Sequence, residues 1–261
     1  MQTHFRKLWT VLIVVFFISP AYADGITGEE AVDEGLPRYI FKTLPKNLFL
    51  GTKRSLWGYN LVALGIGAGA ATALWQTDAD EEIQEEVVDS IGDFGEIGDF
   101  GGQRYTLAGI AISTYVIGRL VADQKVTETG KALIEAGIIT AVMTKIIKGA
   151  TGRERPNGEN DRFSSSFPSG HTSGSFAMAS VVDVMYGHKI GIPLYMFAGF
   201  VGFSRLSDNK HFLSDVLFGA VLGTVVGRTV ARMHKNEQHN KLSVIPYSDG
   251  RSAGLMLAVS W

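Results

Sequence analysis

Three short stretches of this chain hold side chains of the types that bind and cleave a phosphate group. They read "KGATGRERP", "PSGH" and "SRLSDNKHFLSD", and their relevant residues are Lys148, Arg155, Ser169, Gly170, His171, Arg205, His211 and Asp215. Lysine and arginine match the oxygens of a phosphate, and a histidine beside a carboxylate can act as base or nucleophile. These residue types predict a site for phosphoryl chemistry.

The third stretch places His211 four residues before Asp215. At that spacing we expect the two side chains to stack on one face of a helix. The carboxylate would accept a hydrogen bond from one ring nitrogen and leave the other as a nucleophile. His171 supplies a second imidazole, which could protonate the leaving oxygen. Alone, a His-x-x-x-Asp spacing is more often a local ion pair, so the prediction depends on the other stretches.

The second stretch comes directly before an apolar run, where Ser169 is typical of a helix N-cap. The N-terminus of a helix also offers free N–H groups, such as that of Gly170, to an anion. Lys148, Arg155 and Arg205 would add three cations around the same phosphate. We therefore interpret this stretch as both a cap and part of a phosphate cradle.

The elements that must position these residues are apolar segments with helical periodicity and length. They cover residues 56–75 and about 105–121, 132–147, 174–186, 190–203 and 212–227. Each motif falls at the end of one segment or the start of the next, so a bundle of alternating helices would bring all three to one end. We predict an all-α, membrane-associated bundle of about six apolar core helices. The last segment contains small residues that favour close helix packing, namely Gly219, Ala220, Gly223 and Gly227.

Outside the core, the chain opens with a basic start, an apolar run over 8–18 and Ala21-Tyr22-Ala23, typical of a cleaved signal peptide. Near its end, Asp249-Gly250 between two extended runs indicates a β-hairpin. The predicted parts are a signal peptide at 1–23, an N-terminal arm at 24–55, a helical core at 56–233 with an acidic loop insertion at 76–104, and a tail with a β-hairpin at 234–261.

The composition narrows the function classes. With 46% hydrophobic and 19% charged residues, the 261-residue chain is not of the disordered type. The net charge of −2 gives no sign of the basic surface that binds nucleic acid. The chain has no cysteine, which excludes disulfides and thiolate metal sites.

Together the motifs read K-x6-RP, PSGH and SR-x5-H-x3-D. This pattern resembles the type 2 phosphatidic acid phosphatase / vanadium haloperoxidase superfamily at every named position, over roughly residues 56–230. The resemblance implies that His211 attacks phosphorus to form a phosphohistidine, that Asp215 orients it, and that His171 is the general acid and later activates water. It also implies that no metal or cofactor is needed in the phosphatase branch. The residues implied to hold the phosphoryl oxygens are Lys148, Arg155, Ser169, Gly170 and Arg205.

We therefore predict a metal-independent phosphatase that acts on phosphomonoester or diphosphate groups. The apolar helical segments favour lipid phosphates as its substrates. A soluble periplasmic acid phosphatase for small phosphomonoesters carries the same motifs and stays open. A vanadium haloperoxidase is a further alternative, because vanadate could occupy the same cradle. A non-catalytic membrane scaffold of the same fold is the alternative from another class, although the intact histidines and Asp215 argue against it.

The predicted location follows from two signals that disagree. The signal peptide places residue 24 outside, and six full spans from there would put the site in the cytoplasm. Basic residues in 38–54 and 228–241 instead place 24–55 inside and the site loops outside. Charged residues interrupt the later apolar segments, so we expect some of these helices to be buried in protein or to enter the bilayer only in part. We therefore predict a bacterial, exported protein that is associated with the inner membrane and has fewer than six true spans. Its site would face the periplasm, and a soluble periplasmic protein is the alternative.

Overall fold

The computed structural model describes residues 35–159, 165–239, 241–248 and 253–260. The predicted signal peptide and the arm up to residue 34 lie outside this part. A π-helical turn at Tyr39–Thr43 and a 3₁₀ turn at Gly92–Phe94 accompany the regular elements. In chain order these are α1 (Leu36–Arg38), α2 (Leu44–Ser55), α3 (Tyr59–Trp75), α4 (Ala79–Val87), α5 (Gly95–Gly102), α6 (Arg104–Leu120), α7 (Gln124–Thr151), α8 (Gly170–Tyr186), α9 (His188–Ser207), α10 (Leu213–His239), β1 (Lys241–Ser248) and β2 (Ala253–Ser260).

Helix α10 forms the centre of the bundle and packs along α8. Its Leu222, Val226 and Val230 are fully buried. A Cβ atom added at Gly223 or Gly227 would overlap backbone carbonyl oxygens of α8, so glycine permits this close approach. The prediction that small residues let the helices pack closely is confirmed here.

Helix α7 carries the first motif to the site. Asp123 caps its N-terminus by accepting the Val126 N–H at 2.9 Å. At the other end, Gly152 adopts a left-handed conformation with φ of 59° and ends the helix. Lys148 therefore lies in the last turn of a rigid helix, and the chain turns sharply before Arg153 and Arg155.

The acidic segment 76–104 is not the solvated loop that its charge predicts. It forms α4 and α5, and Asp80 is only 1% exposed. The carboxylate is buried because Arg153 pairs with it at 2.9 Å. In α5 the glycines form a packing face, since a Cβ at Gly98 would overlap the side chain of Ser204 on α9. Pairing thus buries Asp80 and glycine spacing packs α5, whereas other acidic residues of α4, such as Glu81 and Glu85, remain exposed.

A second buried polar cluster lies far from the motifs, towards the C-terminal end of α10. His234 there contacts Glu128 and Glu135, which both lie on α7. Glu135 also accepts hydrogen bonds from Tyr39 at 3.3 Å and Asn47 at 3.1 Å. This cluster joins the N-terminal helices to the core.

The tail contains two paired strands. Strands β1 and β2 are antiparallel, with Lys241 opposite Ser260 and Ser248 opposite Ala253. The predicted turn at Asp249-Gly250 lies outside the described residues. Helix α10 runs on to His239, past the predicted core boundary at residue 233.

Within the described residues, two helices are long and apolar enough to cross a membrane. They are α9, over His188–Ser207, and Leu213–Lys235 of α10. The second is 61% buried inside the bundle, as a core helix of a soluble protein would also be. Helix α3 is apolar but shorter, and it exposes Leu61, Val62 and Ile66.

Candidate active site

Hydrogen bonds tie the three motifs together at one end of the bundle. The Lys148 ammonium group donates to the Ser166 carbonyl oxygen at 3.0 Å, which links the first motif to the loop before the second. The backbone N–H of Ser169 donates to the Asp215 carbonyl oxygen at 3.1 Å. The Ser166 hydroxyl also donates to the Asp215 carboxylate. The end of α7, the start of α8 and the start of α10 therefore share one polar centre.

His211 and Asp215 are neighbours, but not on one helical face as predicted. Helix α10 begins only at Leu213, because the Asp215 carboxylate accepts the Phe212 N–H at 2.8 Å and caps the first turn. His211 precedes the helix, and its Nδ1 lies 3.5 Å from Asp215 Oδ2. This contact is longer than an ordinary hydrogen bond, and such contacts tighten when substrate binds.

The His211 imidazole is held in its neutral form. It is 3% exposed, and burial lowers its pKa to about 4. The charges of Lys148 and Arg155 act in the same direction, whereas Asp215 opposes them. A neutral ring that keeps its proton on Nδ1, directed towards Asp215, has its electron pair on Nε2, which is the state a nucleophile needs.

His171 lies in the first turn of α8, next to Asp99. Its Nε2 is 3.3 Å from Asp99 Oδ1, without the angles of a hydrogen bond, and it has no other hydrogen-bond partner among the described residues. Burial lowers the pKa of His171 to about 4, the charge of Arg205 acts with it, and Asp99 opposes both. The ring is therefore neutral at pH 7 and has a nitrogen available for a proton.

Arg205 is fully engaged by protein acceptors. Its Nη1 donates to Asp99, and its Nη2 donates to Asp208 at 2.6 Å. Asp99, on α5, also accepts from Gln103 at 2.9 Å. A carboxylate thus lies beside the guanidinium group where a phosphoryl oxygen would bind, and α5 contributes to a site that the motifs alone do not describe.

Lys148 and Arg155 form the other cationic side of the site. Lys148 is buried and donates to the carbonyl oxygens of Ser165 and Ser166. Burial, together with the nearby charge of Arg155, lowers the pKa of Lys148 to about 7. Arg155 lies 3.7 Å from the Glu159 carboxylate. A bound phosphate would stabilise the charged form of Lys148.

Ser169 caps α8, as predicted. Its Oγ accepts from the Thr172 N–H at 3.5 Å and from the Thr172 hydroxyl at 2.9 Å. Gly170 is the first residue of the helix, so its N–H is among those without a partner within the helix. Within the part of the chain that the structure describes, no three His, Asp or Glu side chains are grouped to hold a metal ion.

The sequence analysis missed Arg153 and Asp80. Arg153 is a variable position inside the first motif, yet its guanidinium group pairs with Asp215 at 2.8 Å and Asp80 at 2.9 Å. It also lies over the rings of Trp75 and Phe212, at 4.4 Å and 4.1 Å from their centroids. The only sequence signal is a second arginine beside Arg155. Asp80 gives none, because it belongs to an acidic run.

The part of the bundle that carries this site is similar to a known family. The family model of the PAP2 superfamily matches residues 130–239, which contain all three motifs. This region of the chain is therefore similar to the PAP2 superfamily, and the resemblance drawn from the motifs is confirmed.

Individual relatives match part of the chain. The lipid A 1-phosphatase of Porphyromonas gingivalis is 38% identical over 104 residues, covering 38% of this chain and 23% of that protein. Lipid phosphate phosphatase 1 of Arabidopsis thaliana is 31% identical over 160 residues, covering 46% of this chain and 49% of that protein. The chain therefore spans at most about half of these relatives.

A solved structure is also similar in part. It is the transmembrane PAP2 type phosphatidylglycerolphosphate phosphatase from Bacillus subtilis, with 18% identity and a TM-score of 0.46. The match covers 76% of this chain and 96% of that chain.

Proposed function

We propose that this protein is a phosphatase that hydrolyses phosphomonoester or diphosphate groups of lipids through a phosphohistidine. One observation carries the proposal: the buried, neutral His211 lies beside Asp215, at the end of the bundle that also holds His171 and three cations. An imidazole kept neutral by burial is a nucleophile, and the cations supply the charge that a phosphoryl group needs during transfer.

The first step is attack of His211 Nε2 on phosphorus, which forms a nitrogen–phosphorus bond and breaks the bond to the leaving oxygen. Asp215 stabilises the ring as it becomes positively charged. His171 gives its proton to the leaving oxygen. Before this step His171 must be protonated, and a bound phosphate favours that state because its negative charge raises the pKa of the neighbouring imidazole.

The second step regenerates the protein. His171, now neutral, takes a proton from water while the water oxygen attacks phosphorus. The nitrogen–phosphorus bond breaks, inorganic phosphate leaves, and His211 is neutral again. Lys148, Arg155 and Arg205 hold the phosphoryl oxygens through both steps, together with the Gly170 N–H. Ser169 contributes by fixing the start of α8. For Arg205 to take part, substrate must displace or share its contact with Asp99.

The proposed substrate is a phosphate carried by a lipid. The apolar helices α3, α9 and α10 support membrane association, and α3 and α9 expose apolar side chains such as Ile66 and Met196. The names of the two relatives, a lipid A 1-phosphatase and a lipid phosphate phosphatase, point to the same substrate class. A water-soluble phosphomonoester is the competing substrate class.

The test is phosphate release by the full chain in detergent, with a panel of phosphorylated lipids and water-soluble phosphomonoesters. We expect turnover of at least one lipid phosphate, no loss of activity in EDTA, and loss of turnover in His211→Ala. His188→Ala is the matched control, because His188 also contacts an aspartate, Asp183, but lies at the other end of α8. Turnover of soluble substrates alone would refute the lipid assignment, and equal rates in both variants would refute the site.

We also propose that the site faces the periplasm. A cysteine at the exposed Asn157 would label the site end, and one at the exposed Lys189 would label the far end of α9. Because the chain has no native cysteine, an impermeant thiol reagent on spheroplasts reports each position separately. We expect Asn157→Cys to react before lysis and Lys189→Cys only after it. The opposite pattern would place the site in the cytoplasm, and release of the protein by osmotic shock would favour a soluble periplasmic protein.

A further inference from the structure

We infer that Arg153 and Asp80 are positioning residues for the reaction, acting through Asp215 on His211. This inference rests on the proposed function of the site. Neither residue is a named position of the three motifs, and Asp80 lies in the acidic segment before the region that the family model matches. Arg153 is 7% exposed and Asp80 is 1% exposed, so both are buried. They lie beside Asp215, whose carboxylate neighbours the candidate nucleophile His211.

The Arg153 guanidinium group is fixed in position and in plane. It lies over two aromatic rings, Trp75 from α3 and Phe212 from the turn before α10, at 4.4 Å and 4.1 Å from their centroids. Its edge faces two carboxylates: Nη1 donates to Asp215 Oδ1 at 2.8 Å, and Nη2 donates to Asp80 Oδ2 at 2.9 Å. A planar fork that contacts two aromatic rings and donates to two carboxylates has little freedom to turn.

Asp80 completes this arrangement by holding the start of α10. Its Oδ1 accepts the backbone N–H of Ser214 at 2.9 Å, and its Oδ2 accepts the Ser214 hydroxyl. The same hydroxyl accepts from Arg153 Nη1 at 2.6 Å. Asp80, Arg153 and Ser214 thus form a closed ring of hydrogen bonds beside Asp215. Helix α4 fixes the first turn of α10 from outside the motif region.

The consequence concerns the two oxygens of Asp215. Arg153 engages Oδ1, so the other oxygen, Oδ2, faces Ser166, the Phe212 N–H and His211 Nδ1. Without Arg153, the carboxylate could rotate away from the imidazole. The His211 Nε2 electron pair would then be aimed at phosphorus for a smaller fraction of the time, and the rate of attack would fall.

A merely structural ion pair would instead affect stability alone. The chain offers a matched control for this alternative at the other end of α10. Asp183 is 3% exposed and accepts from Arg228 at 3.1 Å, so Asp183→Asn removes a buried arginine-paired carboxylate just as Asp80→Asn does. Arg153→Lys is the second test variant, since lysine keeps the charge but cannot bridge two carboxylates.

The experiment measures kcat, the inhibition constant of inorganic phosphate and the thermal unfolding midpoint for each variant in detergent. We expect Asp80→Asn and Arg153→Lys to lower kcat by about 10- to 100-fold, the size of effect that misplacing a reacting group has. The phosphate inhibition constant should change by less than about threefold, because the cradle is intact. Asp183→Asn should lower the midpoint and leave kcat at the wild-type value.

Wild-type kcat in both Asp80→Asn and Arg153→Lys would overturn the inference, as would an equal loss in Asp183→Asn. If both test variants fail to fold, Ser214→Ala decides, because it removes only the hydroxyl that bridges Arg153 and Asp80. It should lower kcat by about threefold or more, and an unchanged kcat would refute positioning. A wild-type protein without turnover would refute the proposed function itself, which is a different result.

Discussion

Two buried histidines at opposite ends of α10 show how one side chain is adapted to two tasks. His211, just before the helix, is 3% exposed and lies 3.5 Å from a single carboxylate. His234, near the end of the helix, is 1% exposed, and its two nitrogens lie 2.7 Å from Glu128 and 2.8 Å from Glu135. A neutral imidazole has only one N–H, so both short contacts of His234 are hydrogen bonds only when its ring is charged.

The difference lies in the number of carboxylates, not in burial. One distant carboxylate, offset by nearby cations, leaves His211 neutral and able to react. Two close carboxylates keep His234 charged and occupy both of its nitrogens. Glu135 also binds Tyr39 and Asn47, so the charged ring joins the N-terminal helices to α7. The histidine of the proposed site is thus left neutral, whereas the histidine at the far end of α10 holds elements together.

The largest expected effect is that replacing His211 lowers the rate whereas replacing His234 lowers the stability. His211→Ala should lower kcat by at least about 10³-fold with little change in unfolding, because the nucleophile is lost. His234→Ala should lower the free energy of unfolding by about 3–5 kcal/mol, because the fully buried carboxylate of Glu135 loses a charged partner. Its kcat per folded molecule should match the wild type. Steady-state kinetics and denaturant unfolding of both variants check this, and a loss of kcat in His234→Ala alone would reverse the assignment.

A smaller effect is expected in the pH dependence of the wild type. The pKa of His211 is lowered to about 4, so the rate should fall below about pH 4 as this histidine takes up a proton. In the protein without substrate the pKa of His171 is also lowered to about 4, so kcat/KM should fall above about pH 4 as His171 loses its proton. Bound phosphate raises the pKa of His171, so the alkaline limb of kcat should lie at higher pH than that of kcat/KM. Coincident alkaline limbs would count against His171 as the acid beside the phosphate.

The smallest effect tests the contact between Asp99 and His171. The negative charge of Asp99 raises the pKa of His171, so its removal in Asp99→Asn makes the imidazole lose its proton more easily. The alkaline limb of kcat/KM should therefore move to lower pH, by up to about one unit. Asp89→Asn, which neutralises an exposed carboxylate of the same segment, is the control. A shift to higher pH, or equal shifts in both variants, would contradict the role of Asp99.

Much of the site could be predicted from the sequence because its motifs lie at helix ends. Alternating helices return to the same end of a bundle, and the structure brings Lys148, His171 and His211 to one end in this way. The serine cap of α8 and the small residues of α10 follow from local geometry, which a sequence pattern records. His211 was placed inside a helix because its spacing from Asp215 fits one, although the Asp215 cap starts the helix later.

The contribution of the acidic segment could not be predicted in the same way. Acidic runs are usually hydrated, and burial of Asp80 depends on Arg153, which is 73 positions away in the chain. The glycines of α5 form a face that packs on α9. Pairing between distant charges and the fit of one helix on another are properties of the assembled bundle, and neither leaves a periodic signal in the sequence.

The central claim, that His211 is the nucleophile and His234 a structural cation, is tested most directly by locating the phosphoryl group. With an aryl phosphate, whose leaving group needs no acid, His171→Ala should still form the phosphohistidine but hydrolyse it slowly. The variant is mixed with substrate, quenched in denaturing base and analysed by peptide mass spectrometry. The account predicts a phosphoryl group on the peptide that contains His211 and none on the peptide that contains His234. A phosphoryl group on any other residue, or turnover by this variant without a labelled His211, would contradict it.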